Sequence, residues 1–178
     1  MKFHPVFAFA LCLTALTACQ PTDGYLPRFA GDPSVAQTGQ DAPGAMCAGD
    51  PALSQRMAEA INAARGREGK TQLETDGTLS SIAQSHACDI AATGRASVAG
   101  SDGSNVVERA RAAGYSTCGV TQLVSVEGSP EGIVGGWMNS TPHRAELLAQ
   151  LNEEIGVGVT RGGDGRLWWS VVMGADCG

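Results

Sequence analysis

Ser140 and His143 carry the side chains of this sequence that are best suited to chemistry. A hydroxyl beside an imidazole is the pair that nucleophilic catalysis uses, provided that a third group orients the imidazole. Ser140, Thr141 and Pro142 can also end one helix and begin another, because Ser and Thr cap helices and Pro disfavours helical geometry before it. His143 then lies in the first turn of a second helix, where free N–H groups suit an anion or a polarised oxygen.

The helix stop between Ser140 and His143 leaves two interpretations of this pair. In the first, the pair is catalytic and His143 acts as a base. In the second, which we favour, Ser140 caps the second helix and His143 forms a structural hydrogen bond in the groove. A hydrolytic zinc normally takes three protein ligands and an open position, which one imidazole cannot supply. We therefore expect no metal and no cofactor, and we name no confident catalytic residue.

The charge of the chain excludes one class of partner. Its 178 residues contain 12 basic and 18 acidic side chains, with a formal net charge of −6 at pH 7. Because the basic residues do not cluster, the sequence lacks the electrostatic footprint of a nucleic-acid-binding protein, and it also lacks a polybasic patch for anionic lipids. We expect no nucleic-acid partner.

The N-terminal residues are typical of an exported bacterial protein. Lys2 precedes an apolar run over residues 6–15 that is too short for a transmembrane helix and fits a secretory signal. Residues 16–19, Leu-Thr-Ala-Cys, resemble the lipobox of bacterial lipoproteins, in which the cysteine is lipidated and becomes the mature N-terminus. We therefore predict a membrane anchor on Cys19, with an ordinary signal peptide as the alternative. Gln20 indicates the outer membrane if the cell is Gram-negative.

These features divide the chain into three parts. Residues 1–18 are the predicted lipoprotein signal peptide. Residues 19–46 carry repeated Gly and Pro without an apolar period, which predicts a lipidated flexible tether. Residues 47–178 form the predicted globular domain. The expected location is the bacterial cell envelope, with the domain facing the periplasm or the cell surface.

Four cysteines fall in the predicted domain, namely Cys47, Cys88, Cys118 and Cys177. Four cysteines in an exported domain predict two disulfides, with three possible pairings. We prefer Cys88–Cys118 and Cys47–Cys177, because the second bridge would tie the start of the first helix to the last strand. A metal site is the alternative, but no Cys-x-x-Cys spacing supports it.

Capping signals and apolar periodicity predict the helices. Asp50-Pro51 begins the first helix, which ends near Arg65, and a second apolar stripe runs from Leu79 to Gly94. A third helix follows a cap at Ser104, and Ser129-Pro130 begins the helix that contains Trp137. His86 lies inside the second stripe, so we expect it to be buried and hydrogen-bonded.

The strand signals complete an α+β fold. Residues 121–126 alternate weakly, and residues 155–159 and 167–173 predict a hairpin across the Gly-rich turn at 162–165. Helices that flank a small antiparallel sheet make an α-β-α sandwich. Because alternate strand residues face opposite sides, we expect one of Trp168 and Trp169 in the core and the other more exposed.

Single residues and short motifs spread along the chain resemble, in their order, a known family. They include Asn62, Arg65, Leu73, Leu79, Ala83, His86, Asp89, Ser97, Asp102-Gly103-Ser104, Arg109, Gly114-Tyr115, Trp137, Met138, Ser140, His143-Arg144 and Ile155-Gly156-Val157-Gly158. The pattern, over about residues 52–174, resembles the CAP superfamily of cysteine-rich secretory proteins, antigen 5 and pathogenesis-related 1 proteins, and in particular its bacterial SCP-like members. The resemblance implies an α-β-α sandwich with a groove between helices.

The resemblance also implies a site that this chain has largely lost. The family's groove often carries two histidines and two glutamates that can hold a divalent metal. Carried over by position, the first histidine falls on Val98, the first glutamate on Thr121 or Gln122, and the second glutamate on Ser140. Only His143 remains of the four. The implied ligand groove therefore contains Val98, Thr121, Gln122, Trp137, Ser140 and His143.

The implied function is binding rather than catalysis. Family members bind sterols and fatty acids, and Val98 with Thr121 or Gln122 makes the groove less polar, which favours an apolar ligand. We predict a non-catalytic binding module for a small lipid, a cell-wall fragment or a protein. The alternative is a hydrolase, peptidase-like or acting on the cell wall, that uses His143. A third possibility is a structural envelope protein without a ligand.

Overall fold

The computed structural model describes residues 47–178. The predicted signal peptide, the lipidation of Cys19 and the tether lie outside these residues. Five helices and four strands follow in chain order: α1 Pro51–Arg67, β1 Glu74–Thr75, α2 Gly77–Thr93, α3 Val106–Ala112, β2 Thr117–Val126, α4 Pro130–Met138, α5 Thr141–Leu147, β3 Glu154–Arg161 and β4 Leu167–Asp176. None of the helices in this range is both long and apolar enough to cross a membrane.

The helices begin at capping residues. Asp50 accepts a hydrogen bond from Leu53 N–H at 3.0 Å at the start of α1, and Ser129 begins α4 with a proline directly after it. The cap of α3 is Asn105 rather than Ser104, so this prediction was wrong by one residue. Asn105 and Glu108 exchange hydrogen bonds as a capping box, which satisfies two backbone donors at once.

The four strands form one sheet in the order β1-β3-β4-β2. The predicted hairpin of β3 and β4 is confirmed, and β4 also pairs antiparallel with β2 over the length of both strands. We predicted an antiparallel sheet, but one pair of strands is parallel. β1 pairs parallel with β3 through Glu74 and Thr75. β1 falls between the first two predicted helices, where we predicted no strand.

Helices cover both faces of the sheet, which confirms the α-β-α sandwich. One core lies against α1, α4 and α5 and contains Met57, Ile61, Leu123, Trp137, Leu147, Ile155, Val157, Trp169 and Met173, among others. The other lies under α2 and α3 and contains Leu79, Ile82, Ala83, Ala110, Tyr115, Val120 and Val172. The backbone of α2 approaches β3 so closely that a Cβ at Gly156 would lie 2.2 Å from Ser80 N. The absence of a side chain at Gly156 therefore permits α2 to pack against β3.

The two adjacent tryptophans are both buried, which corrects the expectation that one of them would be more exposed. The exposed fractions of Trp168 and Trp169 are 1% and 0%. Their side chains still alternate across β4, but helices or turns cover each face of the sheet. The two rings therefore lie on opposite faces of the sheet, and neither is exposed to solvent.

The structure confirms two disulfides but not the pairing that we preferred. Cys47 bonds to Cys88 and Cys118 to Cys177, with Cα–Cα distances of 5.7 and 5.6 Å. Strand register explains the second bridge, because the start of β2 pairs with the end of β4. The bridges close loops of 41 and 59 residues. In the chain-entropy account each stabilises the fold by about 4 kcal/mol.

A buried arginine connects α1 to the chain after α5. The Arg65 side chain is 0% exposed and donates to the carbonyl oxygens of Thr71, Leu147, Ala149 and Asn152. Burial lowers the pKa of the guanidinium, and the carbonyl oxygens compensate its charge in place of a carboxylate. Leu147 O is one of the carbonyl groups at the end of α5 that have no partner within the helix, and such groups favour a cation.

Candidate functional site

The structure brings Ser140 and His143 together. Ser140 is the residue before α5, a helix of seven residues, and its hydroxyl makes no hydrogen bond to the helix backbone. The prediction that the Ser140 side chain caps this helix was therefore wrong, because Ser140 Oγ instead lies 2.8 Å from His143 Nδ1. His143 is exposed, and no carboxylate among residues 47–178 hydrogen-bonds to its ring. The pair therefore has the nucleophile-to-base distance of a catalytic pair but lacks an orienting group in the described part of the chain.

Trp137, three residues before Ser140, is part of the buried core. Its side chain is 6% exposed and belongs to the apolar cluster that α1, α4 and α5 share. Ser140 N–H donates to Trp137 O at 3.1 Å, so the end of α4 fixes the start of α5. Trp137 contributes to the position of Ser140 through packing.

Val98 and Gln122 belong to a second group, which is organised by Arg109. Arg109 Nη2 donates to Val98 O at 2.9 Å and to Gln122 Oε1 at 2.6 Å. Arg109 Nη1 donates to Ser104 O at 2.7 Å and contacts Ser104 Oγ at 3.0 Å. Gln122 Nε2 in turn donates to Ser170 Oγ at 2.8 Å. We call these five residues, Val98, Ser104, Arg109, Gln122 and Ser170, the Arg109 cluster.

The electrostatics of the Arg109 cluster follow from its partial burial. Gln122 and Ser170 are 5% and 0% exposed. Burial lowers the pKa of the Arg109 guanidinium, and the nearby carboxylates of Asp102 and Asp89 oppose this shift. Hydrogen bonds from Ser104 lower the pKa of the Asp102 carboxyl, which keeps it anionic beside the cluster. The cluster is therefore a charged arginine with most of its donors already engaged.

His86 lies beside this cluster and is buried and hydrogen-bonded as expected. It is 2% exposed, and its Nε2 lies 2.8 Å from Ser97 O. Burial lowers the pKa of His86; the contact with Ser97 opposes that shift, and the charge of Arg109 adds to it. A neutral imidazole with one N–H toward a carbonyl oxygen is a structural group rather than a proton carrier.

Thr121 points away from the Arg109 cluster. It precedes Gln122 on β2, so its side chain lies on the opposite face of the sheet, which it shares with Leu123 of the core under α1. Helix α5 contacts β2, and the hydroxyl of Thr121 is buried without a hydrogen-bond partner in the described structure. Of the two residues that could correspond to the family's first glutamate, Thr121 lies on the face that α5 covers.

The six residues of the predicted groove thus form two groups rather than one lined cavity. Only His143 among them is a residue type that commonly binds metal, and the oxygen of Gln122 is occupied by the Arg109 cation. No three His, Cys, Asp or Glu side chains in residues 47–178 come together as a metal site. These residues do not fit the divalent metal that the family resemblance implied. Sequence reasoning missed the role of Arg109 and did not name Ser170, because both depend on contacts between distant segments.

Two cavities lie outside the predicted groove. The α1–α4 cavity has a volume of about 330 Å³ and is lined by Ala60, Ala63, Ala64, Arg67, Glu68, Glu131, Val134, Gly135, Met138 and Asn139. Its last lining residue in the sequence, Asn139, is the residue before Ser140. The α1–α2 groove has a volume of about 1160 Å³ and is lined mainly by residues of α1, α2 and β3, including Ser54, Ala58, Glu59, Ser81, Gln84 and Val157. None of the six predicted groove residues lines either cavity.

Comparison with known proteins gives a family match over most of the domain. The sequence profile described as the cysteine-rich secretory protein family, CAP, matches residues 58–173. No curated protein sequence matches the chain significantly. The profile therefore covers the helices and strands that carry both groups of candidate residues.

Several solved bacterial structures share the fold. An outer surface protein of Borrelia burgdorferi is 19% identical with a TM-score of 0.64, and the match covers 68% of this chain and 91% of that protein. An extracellular protein with an SCP domain from Bacillus anthracis is 19% identical with a TM-score of 0.61, over 70% of this chain and 41% of that one. A cysteine-rich secretory protein from Staphylococcus aureus is 20% identical with a TM-score of 0.59, over 70% and 38%. This chain therefore covers well under two thirds of the length of the Bacillus anthracis and Staphylococcus aureus proteins.

Proposed function

The chain belongs to the cysteine-rich secretory protein (CAP) family, and from this we propose that it is an envelope-anchored, non-catalytic binding protein. Its ligand is a small lipid, a cell-wall fragment or a protein, bound beside His143. The proposal treats the two groups of candidate residues differently. The Arg109 cluster is structural, and the surface around α4 and α5 is the binding surface.

One observation carries the non-catalytic part of the proposal. The 2.6 Å hydrogen bond from Arg109 occupies the amide oxygen of Gln122, one of the two positions that the resemblance gave for the first glutamate. Thr121, the other position, brings a hydroxyl and not a carboxylate to the face that α5 covers. Neither residue therefore supplies a carboxylate beside His143. His143 is left without the partners that metal-assisted hydrolysis needs.

The α1–α4 cavity is the part of this surface that suits a small apolar ligand. Ala60, Ala63, Val134 and Met138 line it, and Arg67 is the one basic residue among its lining side chains. Its volume of about 330 Å³ lies at the lower end of the range for ligand pockets. Glu68 and Glu131 also line the cavity, but they form ion pairs with Arg144 and Arg56. The ligand chemistry that this lining favours is therefore an alkyl chain against the alanines with an anionic head group toward Arg67.

The proposed location rests on two observations. The lipobox-like residues 16–19 end at Cys19, and structural neighbours are described as outer surface or extracellular bacterial proteins. An envelope or secreted location is consistent with both. Acyl chains on Cys19 would supply the anchor, at about 0.8 kcal/mol for each buried methylene group.

The second candidate is a hydrolase, and the 2.8 Å contact between Ser140 and His143 favours it. In that case His143 would accept the proton of the Ser140 hydroxyl as Ser140 Oγ attacks a carbonyl carbon. His143 would give that proton to the leaving amine or alcohol as the scissile bond breaks, and water would then hydrolyse the acyl group from Ser140. A group not seen among residues 47–178, supplied by the substrate or by a partner, would then have to orient the ring.

Native mass spectrometry of the full chain, purified without chelator, tests the proposal. We expect a lipid-sized adduct that is lost on denaturation. Ala63→Trp fills the α1–α4 cavity from an exposed position and should abolish the adduct, whereas Ala92→Trp on the exposed side of α2 should retain it. Retention of the adduct in Ala63→Trp would move the ligand away from this cavity and contradict the proposal.

Peptidase and cell-wall hydrolysis assays separate the two candidates. The binding protein should show no activity that depends on Ser140 or His143. Turnover that Ser140→Ala and His143→Ala both abolish, with the fold intact, would establish the hydrolase instead. Sensitivity of that turnover to chelator would show that His143 has metal-binding partners.

A further inference from the structure

Strand β3 has an open stretch on the side away from β4. On that side, β1 covers only Glu154 and Ile155, and Gly49 forms a bridge with Thr160. Among the described residues no strand pairs with residues 156–159 on this side. Four residues span about 13 Å along a strand. The α1–α2 groove lies directly over this stretch, because Ile155 and Val157 both line it.

The backbone of Val157 faces the groove. Ile155 O accepts a hydrogen bond from Asp76 N–H at 3.0 Å, and Val159 N–H donates to Gln84 Oε1 at 3.1 Å. Residues two apart in a strand direct their N–H and C=O groups to the same edge. Val157, between them, therefore presents both a donor and an acceptor to the groove. Unpaired backbone groups at a sheet edge are a template for another extended chain.

The walls of the groove are polar enough for a peptide. α2 contributes Ser80, Ser81 and Ser85, and α1 contributes Ser54 and Gln55. The volume of about 1160 Å³ exceeds that of the α1–α4 cavity severalfold. The Ser80 and Ser81 hydroxyls already donate to Asp76 O and Gly77 O. A lipid chain would leave the Val157 backbone without a partner, whereas an extended peptide can hydrogen-bond to it.

The α1–α2 groove is lined by acidic side chains, which favour a basic peptide over an acidic one. Asp50 and Glu59 line it, and no lysine or arginine is among its lining residues. Asp50 accepts from Leu53 N–H at the start of α1, and Glu59 accepts from the uncharged Gln55 amide. Neither carboxylate forms an ion pair with a basic side chain of residues 47–178, although the N-terminus of α1 offsets part of the charge of Asp50. We propose that the α1–α2 groove binds an extended peptide with a basic side chain, which adds to the sheet beside Val157. This is a second site, independent of the proposed ligand surface beside His143.

The test uses the full chain and the peptide acetyl-Val-Lys-Val-Lys-Val-amide. We expect binding to shift the Val157 amide resonance and to slow its hydrogen exchange. A copy of the peptide that is N-methylated at its central residue should bind about tenfold more weakly, because it loses a backbone hydrogen bond. The corresponding glutamate peptide should not bind, because it meets two carboxylates.

Variants of the chain locate the site. Glu59→Gln should weaken binding of the lysine peptide about threefold, as expected for an exposed charge pair, and Glu153→Gln, outside the groove, should leave it unchanged. Ser81→Trp fills the groove from an exposed position and should abolish binding, whereas Ala92→Trp should not. Ala63→Trp should leave peptide binding intact, so failure of this proposal is distinguishable from failure of the proposed function.

Several results would overturn the proposal. Equal binding of the N-methylated peptide would exclude strand addition. Slow exchange of the Val157 amide in the free chain would mean that another segment of the same chain already covers the edge. Displacement of the peptide by decanoate would identify the groove as a lipid site.

Discussion

The Arg109 cluster and the Ser140–His143 pair occupy positions that the family resemblance assigns to one site, yet they differ in every physical respect. The cluster connects α3, β2, β4 and the loop before α3 through hydrogen bonds of 2.6–3.0 Å. The pair consists of two residues three positions apart at the start of one short helix. The comparison indicates that polar residues at the first location stabilise the fold, while those at the second are available to a ligand.

The largest effect should come from Arg109→Ala. The substitution leaves Val98 O, Ser104 O and the buried Gln122 oxygen without their donor. Because Arg109 is partly exposed, water can satisfy some of these groups, and we expect a loss of about 3 kcal/mol in the free energy of unfolding. Urea denaturation measures it. Arg111→Ala, on the exposed side of the same helix, is the matched control and should cost less than about 0.5 kcal/mol. Equal losses in both variants would show that the cluster is not structural.

Gln122→Leu should produce the next largest effect. Leucine fits the size of the glutamine side chain but removes the acceptor for Arg109 and the donor to Ser170. We expect a loss of about 2 kcal/mol, because both partners are then left unpaired. A double-mutant cycle with Arg109→Ala should give a coupling energy of about 1–2 kcal/mol. Additive losses would mean that Arg109 and Gln122 stabilise the fold independently.

The pH dependence of stability sharpens the comparison through His86. Burial lowers the pKa of His86 from its ordinary value of 6.5, so the unfolded chain binds more protons than the folded chain below that pH. The contribution of neutral His86 to the free energy of unfolding is complete above pH 6.5. It is lost as the pH falls toward the lower pKa that His86 has in the folded chain. His86→Gln keeps a donor for Ser97 O, and its stability should fall less than that of the parent chain on acidification. Parallel stability profiles for the two chains would show that the folded state does not resist protonation of His86.

Local signals predicted the helices well because each start depends on neighbouring residues. Asp50-Pro51 and Ser129-Pro130 each place a cap before a proline, and α1 and α4 begin there. β1 was missed because it has only two exposed residues and no pattern of its own, and its pairing with β3 exists only in the folded sheet.

The candidate site was less predictable for the same reason. His143 and Ser140 were found because their relation is local, whereas Arg109 and Gln122 meet from separate elements. Disulfide pairing depends likewise on strand register, which places Cys118 beside Cys177 rather than Cys88. The family resemblance supplied Arg109 as a matching residue but not its partners.

The smallest effect should come from Ser140→Ala, and a matched serine makes it informative. Ser129 and Ser140 both precede a helix, but only the Ser129 hydroxyl accepts a backbone hydrogen bond, from Gly132 N–H at 3.2 Å. Ser129→Ala should therefore cost about 1 kcal/mol, and Ser140→Ala less than about 0.5 kcal/mol. His143→Ala should be equally mild, since the ring is exposed and its described hydrogen bond is to Ser140. Thermal unfolding of the three variants measures this. A cost for Ser140→Ala as large as that for Ser129→Ala would mean that the hydroxyl caps α5 in solution, in which case it is not held ready for His143 or for a ligand.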